Sequence, residues 1–290
     1  MLTRTQPRTR SFRGLSTHGF HRVVYYEWGD ADNPRVAVCV HGVGRNGRDF
    51  DVLAEALAAS HRILAIDMPG RGQSEWLRNP SDYAFPTYLT TLTALIAASG
   101  ADQVDWIGTS MGGLLGMVSA AQPGTPILRL VLGDVGPVVE PAALSRIRDY
   151  FGTDPSFDTY DEIEAYVRTI SAPFGPLTDE QWEHVTRTNV RQRPDGRWAI
   201  GYDPAIAIPF RTQSAPPDLW PIYEAIRVPT LLLRGAHSDL LARETAQAMT
   251  TRGPRARLVE FEGVGHAPML MADDQVDTVV GFLREDEASH

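Results

Sequence analysis

The stretch Val104-Asp105-Trp106-Ile107 runs without a linker into Gly108-Thr109-Ser110-Met111-Gly112-Gly113, and then into the apolar segment Leu114 to Ala121. The first part predicts a strand, and the last predicts a helix from about Met111 to Ala121. The chain must therefore reverse from strand to helix within a few residues. Small residues on either side of Ser110 let the two elements cross closely, and such a sharp turn lifts the serine hydroxyl into the open. A strand covered at once by its own helix is the unit of a parallel sheet.

The neighbouring segments supply more of these units. Strands are predicted at Val23–Trp28, Arg35–Val40, Arg62–Ile66 and Leu128–Leu132, alternating with helices at Asp51–Ala59 and at Tyr88–Ala98, the latter closed by Gly100. From Pro137 to about Pro217 the rhythm stops. That segment predicts helices at Ala142–Tyr150, Tyr160–Thr169 and Asp179–Asn189, with no clear strand. The alternation resumes with strands Thr230–Arg234 and Ala256–Phe261 and helices Glu244–Met249 and Val276–Leu283. The expectation is an α/β core over residues 12–136 and 218–284, a mostly parallel sheet flanked by helices, with a helical cap inserted over 137–217.

At 290 residues and 43% hydrophobic, the chain can bury one sizeable core. A net charge of -9 argues against nucleic acid or an anionic membrane as partner. The lone Cys39 excludes an internal disulfide, and its apolar surroundings suit a buried, inert thiol. The first ten residues carry Arg4, Arg8 and Arg10 with no apolar run behind them, which suggests a loose tail rather than a signal peptide. A cytoplasmic enzyme is the default expectation, and a homodimer stays open.

A serine hydroxyl needs a base and the base needs an acid behind it. Among eight histidines, His266 stands out in Glu262-Gly263-Val264-Gly265-His266-Ala267-Pro268, just past the last strand. Asp239, after the penultimate strand, is the favoured acid; Asp134, in Gly133-Asp134-Val135-Gly136 after the Leu128–Leu132 strand, is the alternative. The loop His41-Gly42-Val43-Gly44 leaves the Arg35–Val40 strand, so the Val43 and Met111 amides are candidates for an oxyanion hole, with Gly42 allowing close approach. His41 is expected to orient that loop rather than act as a second base. Arg45 and Asn46 are candidate substrate contacts, weighed against a solvated loop rim.

With its order nucleophile, acid, base, its Asp67-Met68-Pro69-Gly70-Arg71-Gly72-Gln73-Ser74 loop and its insertion, the chain resembles the α/β-hydrolase superfamily from about residue 12 to 284. The core is similar to the branch of small carboxylesterases, enol-lactonases and meta-cleavage C–C hydrolases. The resemblance implies a Ser110–His266–Asp239 triad, an oxyanion hole at Val43 and Met111, and an acyl-enzyme route needing water but no metal or organic cofactor. Serine at position 110 argues against the branches that attack with a carboxylate.

Specificity is expected to lie in the cap, where Phe151, Phe157, Phe174, Trp182, Trp198, Tyr202, Phe210 and Trp220 are available, with Phe174 and Trp182 the candidate contacts. The expected substrate is a small or medium carboxylic ester, with a lactone as a variant. A C–C hydrolase would use the same residues, and an arginine of the cap facing Ser110 would favour it. The non-enzymatic alternative is a small-ligand receptor with a hydrolase-like pocket.

Overall fold

The computed structural model describes residues 5–212 and 218–285. Its centre is an eight-stranded sheet. In chain order the strands are β1 (Arg8–Ser16), β2 (Gly19–Trp28), β3 (Val36–Val40), β4 (Arg62–Asp67), β5 (Val104–Thr109), β6 (Ile127–Gly133), β10 (Thr230–Gly235) and β11 (Arg257–Phe261). Across the sheet they lie β1-β2-β4-β3-β5-β6-β10-β11. The pairs β1–β2 and β2–β4 are antiparallel, and every later pair is parallel. The central parallel strand β3 is a continuous apolar run because helices cover both faces: all of it, Cys39 included, is buried.

The helices of the core are α1 (Asp51–Leu57), α2 (Phe85–Ser99), α3 (Met111–Ala120), α8 (Trp220–Ala225), α9 (Arg243–Met249) and α10 (Asp273–Arg284). Gly100 ends α2 in the left-handed conformation, as its sequence position predicts. From β3 the chain first steps outward to β4 and then returns to place β5 on the other side of β3. This reversal opens a crevice at the carboxyl ends of β3 and β5, where ligands of open α/β sheets bind.

The amino terminus differs from the loose tail expected from sequence. Residues 8–16 form β1, paired in register with β2 from Arg8–Glu27 to Ser16–Gly19. Its side chains are mostly exposed, three of the nine being arginines, as on an edge strand, so it carries no buried apolar run to announce it.

Between β6 and β10 lie α4 (Pro141–Tyr150), α5 (Tyr160–Ile170), α6 (Asp179–Asn189) and α7 (Ala207–Thr212). Thr159 with Glu162 and Thr178 with Gln181 form capping boxes that fix the starts of α5 and α6. Residues 213–217, the end of the expected insertion, lie outside the described residues. Contrary to expectation, this region also holds strands: β7 (Ser156–Phe157), β8 (Val190–Gln192) and β9 (Trp198–Ile200) form a small antiparallel sheet. Each is too short to show an alternating pattern, and Gly196, at positive φ, makes the turn between β8 and β9.

The inserted region is stitched to the core on several sides. Asn46 Nδ2 donates to Thr188 O at 2.7 Å and Asn189 Oδ1 at 3.0 Å, and His184 Nε2 donates to Arg48 O at 3.1 Å. Asp203 N–H reaches Gly70 O at 2.8 Å, and Gly265 N–H reaches Pro173 O at 2.7 Å.

Beneath the crevice, His41 joins two core loops. Its Nε2 accepts from Met68 N–H at 3.0 Å, so Nδ1–H donates to Gly42 O at 2.7 Å. The ring is wholly buried, and burial holds its pKa down to about 3. Because the folded value lies below the unfolded one, the stability that neutral His41 supplies is complete above pH 6.5 and is lost as pH falls toward about 3. His41→Phe should cost about 2 kcal/mol at neutral pH by leaving Met68 N–H unpaired. Urea unfolding should show that deficit shrinking near about pH 4, because the variant has no ring to protonate; a deficit that grows on acidification would reject this assignment.

Candidate functional site

The turn from β5 into α3 is built by steric necessity. A Cβ on Gly112 would lie 1.9 Å from Val40 O, and one on Gly108 would lie 2.2 Å from Gly112 O. Only glycine lets α3 cross β3 and β5 this closely. Trp106 closes the floor, its Nε1–H donating to Gly112 O at 3.0 Å. Ser110 then sits at φ 53°, ψ -115°, a conformation that costs about 1–3 kcal/mol and is held by its N–H bond to Gly133 O at 2.8 Å. The turn leaves the serine half-buried at the mouth of the crevice.

Ser110 Oγ lies 3.0 Å from His266 Nε2, and His266 Nδ1 lies 2.7 Å from Asp134 Oδ2. A carboxylate only accepts, so Nδ1–H donates to Asp134 and leaves Nε2 to accept the serine proton. The line Oγ–Nε2–Nδ1–Oδ2 can therefore deprotonate a hydroxyl and stabilise the imidazolium that results.

The acid that meets His266 is thus Asp134, and Asp239, favoured from sequence, is not brought to the imidazole. Asp239 is exposed and forms a two-point pair with Arg146, at 2.7 and 2.9 Å. The reason lies in the neighbouring residue. The loop after β10 turns Ser238 inward, and its Oγ–H donates to Asp134 Oδ2 at 2.6 Å while Gly235 N–H donates to Oδ1 at 3.0 Å. Asp134 is wholly buried and turns at φ 53°, its own N–H held by Leu233 O at 2.7 Å. Both acidic loops leave the same end of the sheet, so chain order alone does not separate them; side-chain direction does. The Gly133-Asp134 pair directly after a buried strand was the available signal.

Gly42 and Val43 stand on the pocket wall with Ser110 and His266, and a Cβ on Gly42 would lie 3.6 Å from Ser110 Cβ. Met111 is the first residue of α3, where amide N–H groups lack intrahelical acceptors and carry the positive end of the helix dipole. Both backbone positions thus flank the serine. Both nitrogens of His41 are committed to backbone groups, so its geometry is that of a loop brace.

The pocket over Ser110 measures about 110 Å³. Arg45 is on its wall, forked onto Asp49 at 2.8 and 2.6 Å and placed over the Phe174 ring at 5.2 Å. Asn46 is not: it is buried, bound to Thr188 and Asn189, with Oδ1 accepting from Arg48 N–H. Trp182 is likewise absent from the wall; it is buried within the inserted region with the Arg168 guanidinium 5.7 Å from its ring. Both side chains are consumed by packing because the inserted helices must bury one face of their own.

Of the other aromatics, Phe151 and Tyr202 join Phe174 on the wall, their rings 5.0 Å apart. Trp198 packs on Tyr160, Phe157 on Tyr166 and Trp220 on Tyr223, and the Phe210 side chain lies outside the described residues. Arg146 and Asn189 also reach the wall, with no motif to mark them beforehand. A wider groove of about 710 Å³ opens at the opposite end of the strands, by His61, Arg62 and Asp105, and does not include Ser110.

Residues 37–279 match the model of the Alpha/beta hydrolase family. A 3-hydroxybutyrate-oligomer hydrolase of Cupriavidus necator is 45% identical over 287 residues, covering 96% of this chain and 98% of that protein. A solved alpha/beta hydrolase of Novosphingobium aromaticivorans is 36% identical, has a TM-score of 0.86, and aligns over 97% of this chain and 99% of its own. An esterase of Mycobacterium tuberculosis is 26% identical over 263 residues, 89% of this chain and 83% of that protein. The strand order, the serine turn and these matches agree: the chain belongs to the alpha/beta hydrolase family.

Proposed function

We propose that this hydrolase cleaves short carboxylic esters by acyl transfer through Ser110, and that linear oligomers of 3-hydroxybutyrate are the leading substrate class. The hydrogen-bonded line Ser110–His266–Asp134, whose serine and histidine line a small pocket, carries this reading. The substrate class draws on the 45% identical oligomer hydrolase, which matches along nearly its whole length.

Ser110 Oγ attacks the ester carbonyl carbon while its proton passes to His266 Nε2. The carbonyl electron pair moves onto oxygen, toward the Val43 and Met111 amides. Collapse of the tetrahedral adduct breaks the bond to the alkoxy oxygen, and Nε2 returns its proton to form the alcohol. Water then gives a proton to Nε2 and attacks the acyl-enzyme; a second collapse frees the acid and restores Ser110. Asp134 stabilises the imidazolium at each passage.

The wall supplies apolar area from Ile147, Phe151, Val167 and Ile200, with the Arg45–Asp49 and Arg146–Asp239 pairs beside it. A short branched acyl unit suits the volume, and the guanidiniums offer hydrogen bonds to a hydroxyl or carboxylate end. Arg45, Gly42 and Phe174 are the proposed substrate contacts. Arg146, contributed by the inserted region, is the one observation favouring C–C cleavage of a vinylogous diketone. Its guanidinium already answers Asp239, so the ester reading stands first.

The deciding measurement compares 3-hydroxybutyrate dimer and trimer, p-nitrophenyl esters of increasing length, a lactone and a vinylogous diketone, each with Ser110→Ala as control. Turnover of the oligomers and short esters, abolished in the control, is expected; turnover of the diketone alone would replace the ester reading. Asp134→Asn should lower kcat by about a thousandfold or more, while Asp239→Asn should change it less than about threefold. The reverse order, in folded variants, would return the acid's role to Asp239. Ser238→Ala should lower kcat by about threefold to tenfold with KM held, since Asp134 keeps its Gly235 bond but loses a donor; unchanged turnover would show that Ser238 does not steady the acid.

A further inference from the structure

Arg71 is a cation sealed inside the protein beside the proposed oxyanion site. Its residue is wholly buried, and its loop turns it inward between Gly70 and Gly72, which adopt φ 81° and 53°. Gly70 has no room for a side chain, since a Cβ there would meet the Tyr83 ring at 2.7 Å. The guanidinium Nε donates to Val43 O at 2.9 Å, and Nη1 donates to Pro69 O and Tyr88 Oη, each at 2.8 Å. Nη2 lies 3.7 Å from Met111 Sδ. The rings of Tyr88 and Tyr83 stand 5.0 and 5.9 Å from its central carbon.

Two features of this arrangement matter. One side chain touches both Val43, at its carbonyl oxygen, and Met111, at its sulfur, the residues whose amides are the proposed oxyanion donors, and a planar fork fixes direction as well as distance. In addition, among the described residues every hydrogen-bond acceptor it meets is neutral: two backbone carbonyls, a phenol and a thioether. A buried guanidinium ordinarily demands a carboxylate. Asp203, an acid on a neighbouring segment, instead accepts from Tyr83 Oη–H at 2.6 Å.

We propose that Arg71 is a positioning residue of the oxyanion hole: it pins Val43 and Met111 in place, and its unanswered charge favours the negative oxygen that forms between their amides. The proposal rests on the acyl-transfer reading of Ser110. Its contribution would be made in the tetrahedral state rather than in the bound ester, which separates it from a residue that merely fills space.

The test uses the full chain. Labelling with a fluorophosphonate, located on the Ser110 peptide by mass spectrometry, counts active sites in the wild type and in Arg71→Gln and Arg71→Lys. An unlabelled wild type would overturn the Ser110 reading, and this proposal with it. For labelled protein, p-nitrophenyl butyrate turnover is expressed per titrated site, alongside inhibition by butylboronic acid, which forms an anionic tetrahedral adduct, and by butanol, which does not. Arg71→Gln is expected to lower kcat by about thirtyfold to a hundredfold with KM within about twofold. Boronate affinity should fall in parallel and butanol affinity should hold. Arg71→Lys keeps the charge but not the fork, so about a threefold to tenfold loss of kcat is expected. It also decides the matter should the glutamine variant fail to fold. Wild-type kcat per titrated site in a folded variant, with loss confined to Tm or to the number of sites, would overturn the proposal and leave Arg71 as packing.

Discussion

Everything at the site hangs on how closely α3 lies against the sheet. With Gly112 against Val40 O and Gly108 against Gly112 O, no side-chain atom fits between helix and strands. That contact sets the height of Ser110 above β3 and β5 and fixes its backbone in a region serine rarely occupies. The strain is tolerated because the surroundings over-determine the turn: Trp106 grips Gly112 from below, and Gly133 holds the Ser110 amide from the next strand. A helix displaced by even one methyl group would carry the hydroxyl away from His266, so packing sets the geometric tolerance of the Ser110–His266 hydrogen bond.

Around that turn the loops brace one another more than they brace themselves. Asp67, at the end of β4, accepts from Gly47 N–H, Gln73 N–H and Tyr26 Oη–H, tying the loops after β3 and β4 to β2. His41 adds a second tie between the same loops. Asp134 does the equivalent on the other side, drawing in the loops after β10 and β11. Each buried carboxylate has its acceptors filled by donors from different loops, which is how a polar group can sit under a site without being a liability.

The core was legible in the sequence because its strands are mostly apolar runs and its helices carry stop signals, as at Gly100. Ser110 and His266 were legible for a related reason: each sits in a glycine-framed loop directly after such a run. The edge strand at Arg8–Ser16 was not, since its exposed positions are arginines, polar residues and Leu15, with one face barely buried. The short strands Val190–Gln192 and Trp198–Ile200 gave too few residues for a period. Choosing between Asp134 and Asp239 needed the directions of the adjacent Ser238 and Asp239 side chains, one turned in to Asp134 and the other out to Arg146, and Asn46 and Trp182 needed to be seen packed. Residue type narrows such choices; only the turn geometry makes them.

The hydrogen bond from Gly265 N–H to Pro173 O has a mechanical meaning. Gly265 precedes His266, and Pro173 precedes Phe174, so His266 and an aromatic of the pocket wall are held on two segments joined by one backbone hydrogen bond. A Cβ on Gly265 would meet that same proline oxygen at 3.0 Å. The inserted region is therefore not an interchangeable cover. Transplanting one from a relative would reseat the imidazole along with the pocket, so specificity and turnover in this chain should be difficult to change independently.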